Sequence, residues 1–285
     1  MSCNISSESL NNPLLKELLI KLTDYFQSIG SDFYVIGATA RDIIHSGIHN
    51  QTPARRTVDL DIAIAIKDWD KFKKISEELC EIEGFTKDNK QTQRFLFQNA
   101  YVLDIVPFGE IAKADNNIYW PPEEEFAMSV VGFTEVANNT LDVTIDNEFN
   151  IKVASLPGIF ILKLVAFSDR KNQTNKDADD LAYIIENYLS INEERAAANH
   201  YDIYEAEEYN IFTAGATLLG RDIKSILGEN TKTIQIFIQI LEDELKLEDA
   251  SPLVNQIIET HRNLDYDTVV EGFNNLLQEL NNNHE

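Results

Sequence analysis

A chain of 285 residues, 44% hydrophobic and 25% charged, is long enough to bury a core in one large domain or two small ones. Its 24 Lys and Arg stand against 48 Asp and Glu, and a net charge of −24 argues against broad, sequence-blind binding to nucleic acid, although a local basic groove remains compatible with it. Two cysteines, Cys3 and Cys80, in no ligand-like spacing argue against a disulfide framework or a structural zinc site. The lack of a secretion-type start and of any apolar run near the ~20 residues of a membrane span predicts a cytoplasmic protein with no membrane association.

From Asn12 to Ile29, Leu14, Leu15, Leu18, Leu19, Leu22, Tyr25 and Phe26 recur at helical spacing, which predicts an amphipathic helix ending at Gly30. A short strand, Phe33 to Ile36, is stopped by Gly37, and a second helix opens within Ala38 to Asp42 and ends near Gly47. His49 to Arg56 reads as a loop broken by Pro53, and Val58 to Ile66 alternates as a half-buried strand does. A charged helix follows from about Asp68 to Ile82. Arg94 to Gln98 and Tyr101 to Phe108 predict a hairpin joined by Asn99-Ala100.

Val130 to Val136 and Leu141 to Val153 are further β-like runs, the latter broken near Asn147. Ser155-Leu-Pro-Gly158 marks a boundary, and helices are expected at Ile159 to Phe167, Asp177 to Leu189, Glu205 to Leu219, Thr231 to Leu245 and Val269 to Leu280. The expected fold is α/β in the α+β sense, without doubly wound alternation: a mixed-sheet domain over residues 1–155 and a mostly helical domain over 156–285, with a frayed Asn-rich tail.

The chemistry concentrates in Thr57-Val-Asp-Leu-Asp-Ile-Ala-Ile64. In a strand, residues two apart share a face, so Asp59 and Asp61 project together and Val58, Leu60, Ile62 and Ile64 form the core row. Two carboxylates side by side repel, and a hard cation such as Mg²⁺ or Mn²⁺ relieves the repulsion through oxygen ligands. Asp104 is the one charge in Tyr101 to Phe108, and it shares a face with Val102 and Val106. If its strand lies beside that of Asp59 and Asp61, three acids converge as metal ligands, and Asp104 can accept the proton of an attacking hydroxyl. Upstream, Val35-Ile-Gly-Ala-Thr-Ala-Arg-Asp42 is strand, glycine turn and helix start, which aims unpaired N–H groups at a ligand phosphate. The bland alternatives are an exposed-edge D-x-D and a first-turn charge pair of Arg41 with Asp42.

These residues resemble the nucleotidyltransferase superfamily that includes DNA polymerase beta and the CCA-adding enzymes. Gly37-Ala-Thr-Ala-Arg-Asp42 looks like its G-G-x-x-R-D turn, with Ala38 where Gly or Ser is usual. Leu162-Lys163-Leu164, Arg170 and Lys176-Asp-Ala-Asp-Asp-Leu181 are similar to the motifs of the AbiEii/AbiGii-like bacterial group, apart from a polar insert at Lys171 to Asn175.

The resemblance implies a nucleotidyltransferase fold with NTP as substrate. Gly37, Ala38 and Thr39 would lie on the nucleotide phosphates, with Arg41 and Lys163 offsetting charge on the triphosphate. Asp59 and Asp61 would bind metal, and Asp177 or Asp180 would act nearby. For Lys163 the alternative is snorkelling to solvent, and for Asp177 and Asp180 it is first-turn acids of a helix. The resemblance further implies an RNA or tRNA acceptor, a toxin or defence role and an antitoxin partner. His45, His49, Arg55 and Arg56 flank the site and could meet a 3′ end. A small acceptor of the antibiotic type, or a nucleotide-binding module without catalysis, are the competing readings.

Overall fold

The computed structural model describes residues 2–10, 12–49, 59–122, 124–125, 127–205 and 209–282. The chain divides into two compact units, Met1–Ser155 and Leu156–Glu285. No described helix is long and apolar enough to cross a membrane.

The N-terminal unit opens with β1 (Ser2–Ile5), α1 (Pro13–Ser28), β2 (Tyr34–Ile36) and α2 (Gly37–Asp42), followed by a π-helical turn at Ile43–Ile48. Next come β3 (Asp59–Ala65), α3 (Trp69–Glu81), β4 (Phe85–Lys87), β5 (Arg94–Phe97) and β6 (Tyr101–Phe108). It closes with β7 (Asn117–Tyr119), β8 (Ala127–Ser129), α4 (Phe133–Asn138), β9 (Thr140–Ile145) and β10 (Phe149–Ala154). Local chemistry accounts for the helix limits. Asn12 caps α1 by accepting from the Leu14 N–H at 3.0 Å, Pro13 opens it, and Gly30 just beyond its end takes φ +62°.

Eight strands form one mixed sheet in the order β1-β9-β10-β2-β3-β6-β5-β4, and β7 pairs with β8 separately. At its centre β3 runs parallel to β6 and antiparallel to β2. Leu60, Ile62, Ile64, Leu103 and Ile105 are at most 1% exposed and line one face as the core row. Val58 lies outside the described residues, as do Arg55 and Arg56 and nearly all of the loop expected from His49.

Three local expectations are corrected. Val130 to Val136 is not a strand: Gly132 takes φ +83°, turning the chain into α4, where Phe133 and Val136 bury one helical turn apart. The edge strand β1 escaped notice because Ser-Cys-Asn-Ile is too short and polar to show a period. In the β5–β6 hairpin Phe97, not Gln98, faces Tyr101, so the loop has three residues, with Gln98 and Asn99 at φ +51° and +53°. Trp120, from the Trp-Pro-Pro segment, packs on Trp69 and Phe72 with ring centroids 5.1 and 5.7 Å apart.

The second unit is a helical assembly of α5 (Leu156–Arg170), α6 (Lys176–Ile191), α7 (Glu193–Asn199), α8 (Ile211–Leu227), α9 (Thr231–Leu245), α10 (Pro252–Thr260) and α11 (Tyr266–Asn281). The helix expected over 205–219 starts later because Asn210 caps it, accepting from the Phe212 N–H at 2.8 Å. It also runs on through Gly220 to Leu227. Helix α8 lies close to α6, since a Cβ on Gly215 would fall 2.5 Å from the Ile185 carbonyl oxygen. Gly220-Arg-Asp-Ile223 ties helices together: Arg221 pairs with Asp202 and Glu279, while Asp222 accepts from Arg195 and Tyr188.

Candidate active site

Asp59 and Asp61 leave β3 on the same face, because side chains two apart in a strand point alike. Their partners across the parallel ladder to β6 are Val102 and Asp104. Across the antiparallel ladder to β5, Asp104 faces Arg94. Residues directly opposite in a sheet share a face. Asp59, Asp61, Asp104 and Arg94 therefore stand on one side of the sheet, all half-buried, with the apolar row on the other.

The glycine bend lies against this acidic face. Ile36, the last residue of β2, is opposite Asp61, and Gly37 follows at φ +67°. A Cβ on Gly37 would lie 2.5 Å from Asp61 Oδ2, so any side chain here displaces the carboxylate. Thr39 fastens the bend by donating from Oγ1 to the Asp59 carbonyl oxygen at 2.7 Å. Tyr101, at the start of β6, is buried beside this cluster. Burial, reinforced by the charges of Asp59, Asp42 and Asp61, pushes its phenol up to about 12. Nothing in the sequence singled out this tyrosine, which sits in an apolar strand like any core residue.

Arg94 donates to both oxygens of Asp104, Nε to Oδ1 at 2.8 Å and Nη2 to Oδ2 at 2.6 Å. This fork-to-fork pair raises the guanidinium further above its ordinary range, with Asp88 and Asp59 adding to the effect. Strand periodicity brings the three acids together but does not reveal Arg94 beside them. Among the described residues no group of three or more His, Cys, Asp or Glu has the arrangement to hold a metal ion. The pair Asp59 and Asp61 suits a hard divalent cation by its oxygen donors and shared face, whereas both Asp104 oxygens are engaged by Arg94.

Arg41, expected on the phosphates, is instead 1% exposed and donates through Nε and Nη2 to Asp42 Oδ1 at 3.0 and 2.7 Å. Ala38 is half-buried beside Gly37. His45 is fully buried, which removes it from the set that could meet an acceptor, and His49 is exposed.

The helical unit gathers the remaining candidates. Lys163 on α5 reaches Asp177 Oδ1 at 3.1 Å and Asp180 Oδ2 at 2.7 Å, both on the first turns of α6. Arg170 Nε and Nη2 donate to Asp177 Oδ2 and Oδ1 at 2.7 and 2.9 Å. Burial alone would lower the Lys163 pKa, but Asp180 and Asp177 outweigh it and hold the ammonium above its usual value. At Asp177, likewise, burial pushes up while Arg170 and Lys163 pull further down. Neither acid is an exposed first-turn charge, for both side chains are 1% exposed.

Residues 24–278 match the model of the nucleotidyl transferase AbiEii toxin family, a type IV toxin–antitoxin system. Among solved structures, the chain is similar to an antigenic nucleotidyltransferase-like protein from Paracoccidioides brasiliensis, at 16% identity and a TM-score of 0.41, over 70% of this chain and 89% of that one. No curated protein matches the chain.

Proposed function

This chain belongs to the AbiEii nucleotidyl transferase toxin family, and from that premise we propose that it transfers a nucleoside monophosphate from an NTP to an acceptor hydroxyl, with Asp59 and Asp61 holding Mg²⁺ or Mn²⁺. The observation that carries this reading is the close approach of the Gly37 bend to Asp61, on the face that Asp59 and Asp61 share. A bare bend beside two carboxylates leaves room for a cation and a phosphate where a side chain would close it. When bound, the cation supplies positive charge to the triphosphate and acidifies the attacking hydroxyl.

The chain's own residues divide the work. Backbone N–H groups of Gly37, Ala38 and Thr39 orient phosphate oxygens, and the bond from Thr39 to the Asp59 carbonyl keeps bend and strand in register. Asp104, opposite Asp61, takes the hydroxyl proton on a carboxylate oxygen. Within the helical unit, Lys163 is the cation that this reading assigns to NTP binding, paired with Asp177 and Asp180. Asp177 and Asp180 act by holding that ammonium charged and in place.

The acceptor in this reading is the end of an RNA, tRNA included, and the family supports a toxin role with an antitoxin partner. A net charge of −24 favours contact with a short terminal segment over a long RNA footprint. The test is incubation with each labelled NTP, Mg²⁺ or Mn²⁺ and total RNA, following pyrophosphate. Label entering RNA, and lost in Asp59→Asn, supports the proposal. Pyrophosphate release with unlabelled RNA points to a small acceptor, and NTP binding without release points to a binding module.

A further inference from the structure

Arg94 is bonded to Asp104 on the acidic face, and nothing in the family motifs assigns it a task. It is not part of the core. Its side chain is 29% exposed and that of Asp104 is 14% exposed, while its strand neighbours Phe95 and Phe97 are fully buried. The backbone is held independently, by the ladder to β6 and by the Arg94 N–H donated to the Gln91 carbonyl. The guanidinium can thus swing outward by side-chain rotation alone, with strand and hairpin unmoved.

A carboxylate forked on both oxygens keeps lone pairs to spare, but a divalent cation coming to Asp104 meets the positive guanidinium close by and competes with it for the same negative charge. Arginine and cation are in that sense rivals for Asp104. With the fork in place, the face formed by Asp59, Asp61 and Asp104 carries a resident positive charge that lowers its repulsion. With the fork released, the freed guanidinium has the shape and donors to seize phosphate oxygens.

Building on the reading above, we propose that Arg94 is a displaceable internal counter-ion, which competes with a divalent cation for Asp104 and which on leaving becomes a ligand for pyrophosphate oxygens. Metal binding and phosphate binding are then linked through one side chain, and by linkage each strengthens the other. Arg94 is a positioning residue toward the metal and a binding residue toward the anion.

The test uses the full chain and measures binding rather than turnover. Mn²⁺ affinity is read by electron paramagnetic resonance, without nucleotide, for the wild type, Arg94→Gln, Arg94→Lys and the double variant Arg94→Gln/Asp104→Asn. Removing the rival should tighten Mn²⁺ binding roughly tenfold in Arg94→Gln, the size expected for losing a charged hydrogen-bond pair. Arg94→Lys, with no fork, should fall between, and the double variant should lose the gain. At saturating Mn²⁺, inorganic pyrophosphate should bind roughly tenfold more weakly to Arg94→Gln than to the wild type.

A merely structural arginine would weaken Mn²⁺ binding or leave it unchanged on removal. Either result, in a variant whose melting matches the wild type, overturns the proposal. The reading beneath it is checked separately by Asp59→Asn/Asp61→Asn, which should abolish Mn²⁺ binding. If that variant binds Mn²⁺ as the wild type does, the metal site itself is misplaced and this inference falls with it.

Discussion

Two ion clusters in this chain use the same kinds of side chain at different depths. On the sheet, among the described residues, the Arg94 guanidinium stands with Asp59, Asp61 and Asp104, all half-buried. In the helical unit, Lys163 and Arg170 stand with Asp177 and Asp180, whose side chains are 1% exposed. Burial explains the contrast. An uncompensated charge taken out of water costs several kcal/mol, so the enclosed acids are held by cations at close range. A half-open face tolerates neighbouring carboxylates because water still reaches it, and such a face is open to a cation. Burial thus separates a face open to a ligand from an enclosed cluster that holds its own counter-charges.

The strongest attempt to break this contrast is Asp59→Asn or Asp61→Asn. Each should lower nucleotidyl transfer by about 10³-fold or more, and Asp59→Asn should leave urea unfolding unchanged or slightly favour the folded state, since a repulsion is relieved. A marked loss of stability would make these acids structural. The converse holds for Lys163→Met, which takes one cation away from two buried carboxylates and should cost about 3–5 kcal/mol of unfolding free energy. A cost below about 1 kcal/mol, the range of a surface pair, would erase the distinction between the clusters.

Gly37→Ala is the next step down. It combines left-handed strain of about 1–2 kcal/mol with displacement of Asp61, and should reduce transfer by roughly 10²-fold. Activity near that of the wild type would detach the bend from the site.

The smallest effect comes from a third cluster. His261 lies 2.7 Å from Glu186 and 3.2 Å from Asp179, joining the end of α10 to α6. Burial opposes its protonation, but bonds to Asp179 and Glu186 prevail and lift it from 6.5 to about 9. The folded value exceeds the unfolded one, so its stabilisation is complete below about pH 6.5 and is lost as pH rises through about 9. Thermal unfolding should show the wild type losing about 1–2 kcal/mol more than His261→Gln between pH 6 and pH 10. Parallel curves for the two proteins would remove His261 from the account.

Much of the site is written locally. Asp59 and Asp61 share a face because the strand period is two, and the glycine bend is legible because Gly37 separates a β-prone run from a helical one. The same holds for Lys163, Asp177 and Asp180, since each helix carries its own residues in a readable order, although their burial and mutual bonds needed the packed unit. By contrast Arg41 and His45 looked available in the sequence and turned out to be buried, because exposure belongs to the packing of α2 and the turn behind it.

What tertiary structure alone decided is the partner of Asp104. A two-residue hairpin loop at Asn99-Ala100 would set Arg94 opposite Ile105, on the core face, whereas the observed loop of Gln98, Asn99 and Ala100 sets it opposite Asp104. One residue of register moves a charge through the sheet, because successive side chains alternate faces. Strand and period were therefore properties of the sequence. Which cation met which acid depended on how the chain closed a turn, and that is settled by the packing of Phe95 and Phe97 into the core rather than by any local signal.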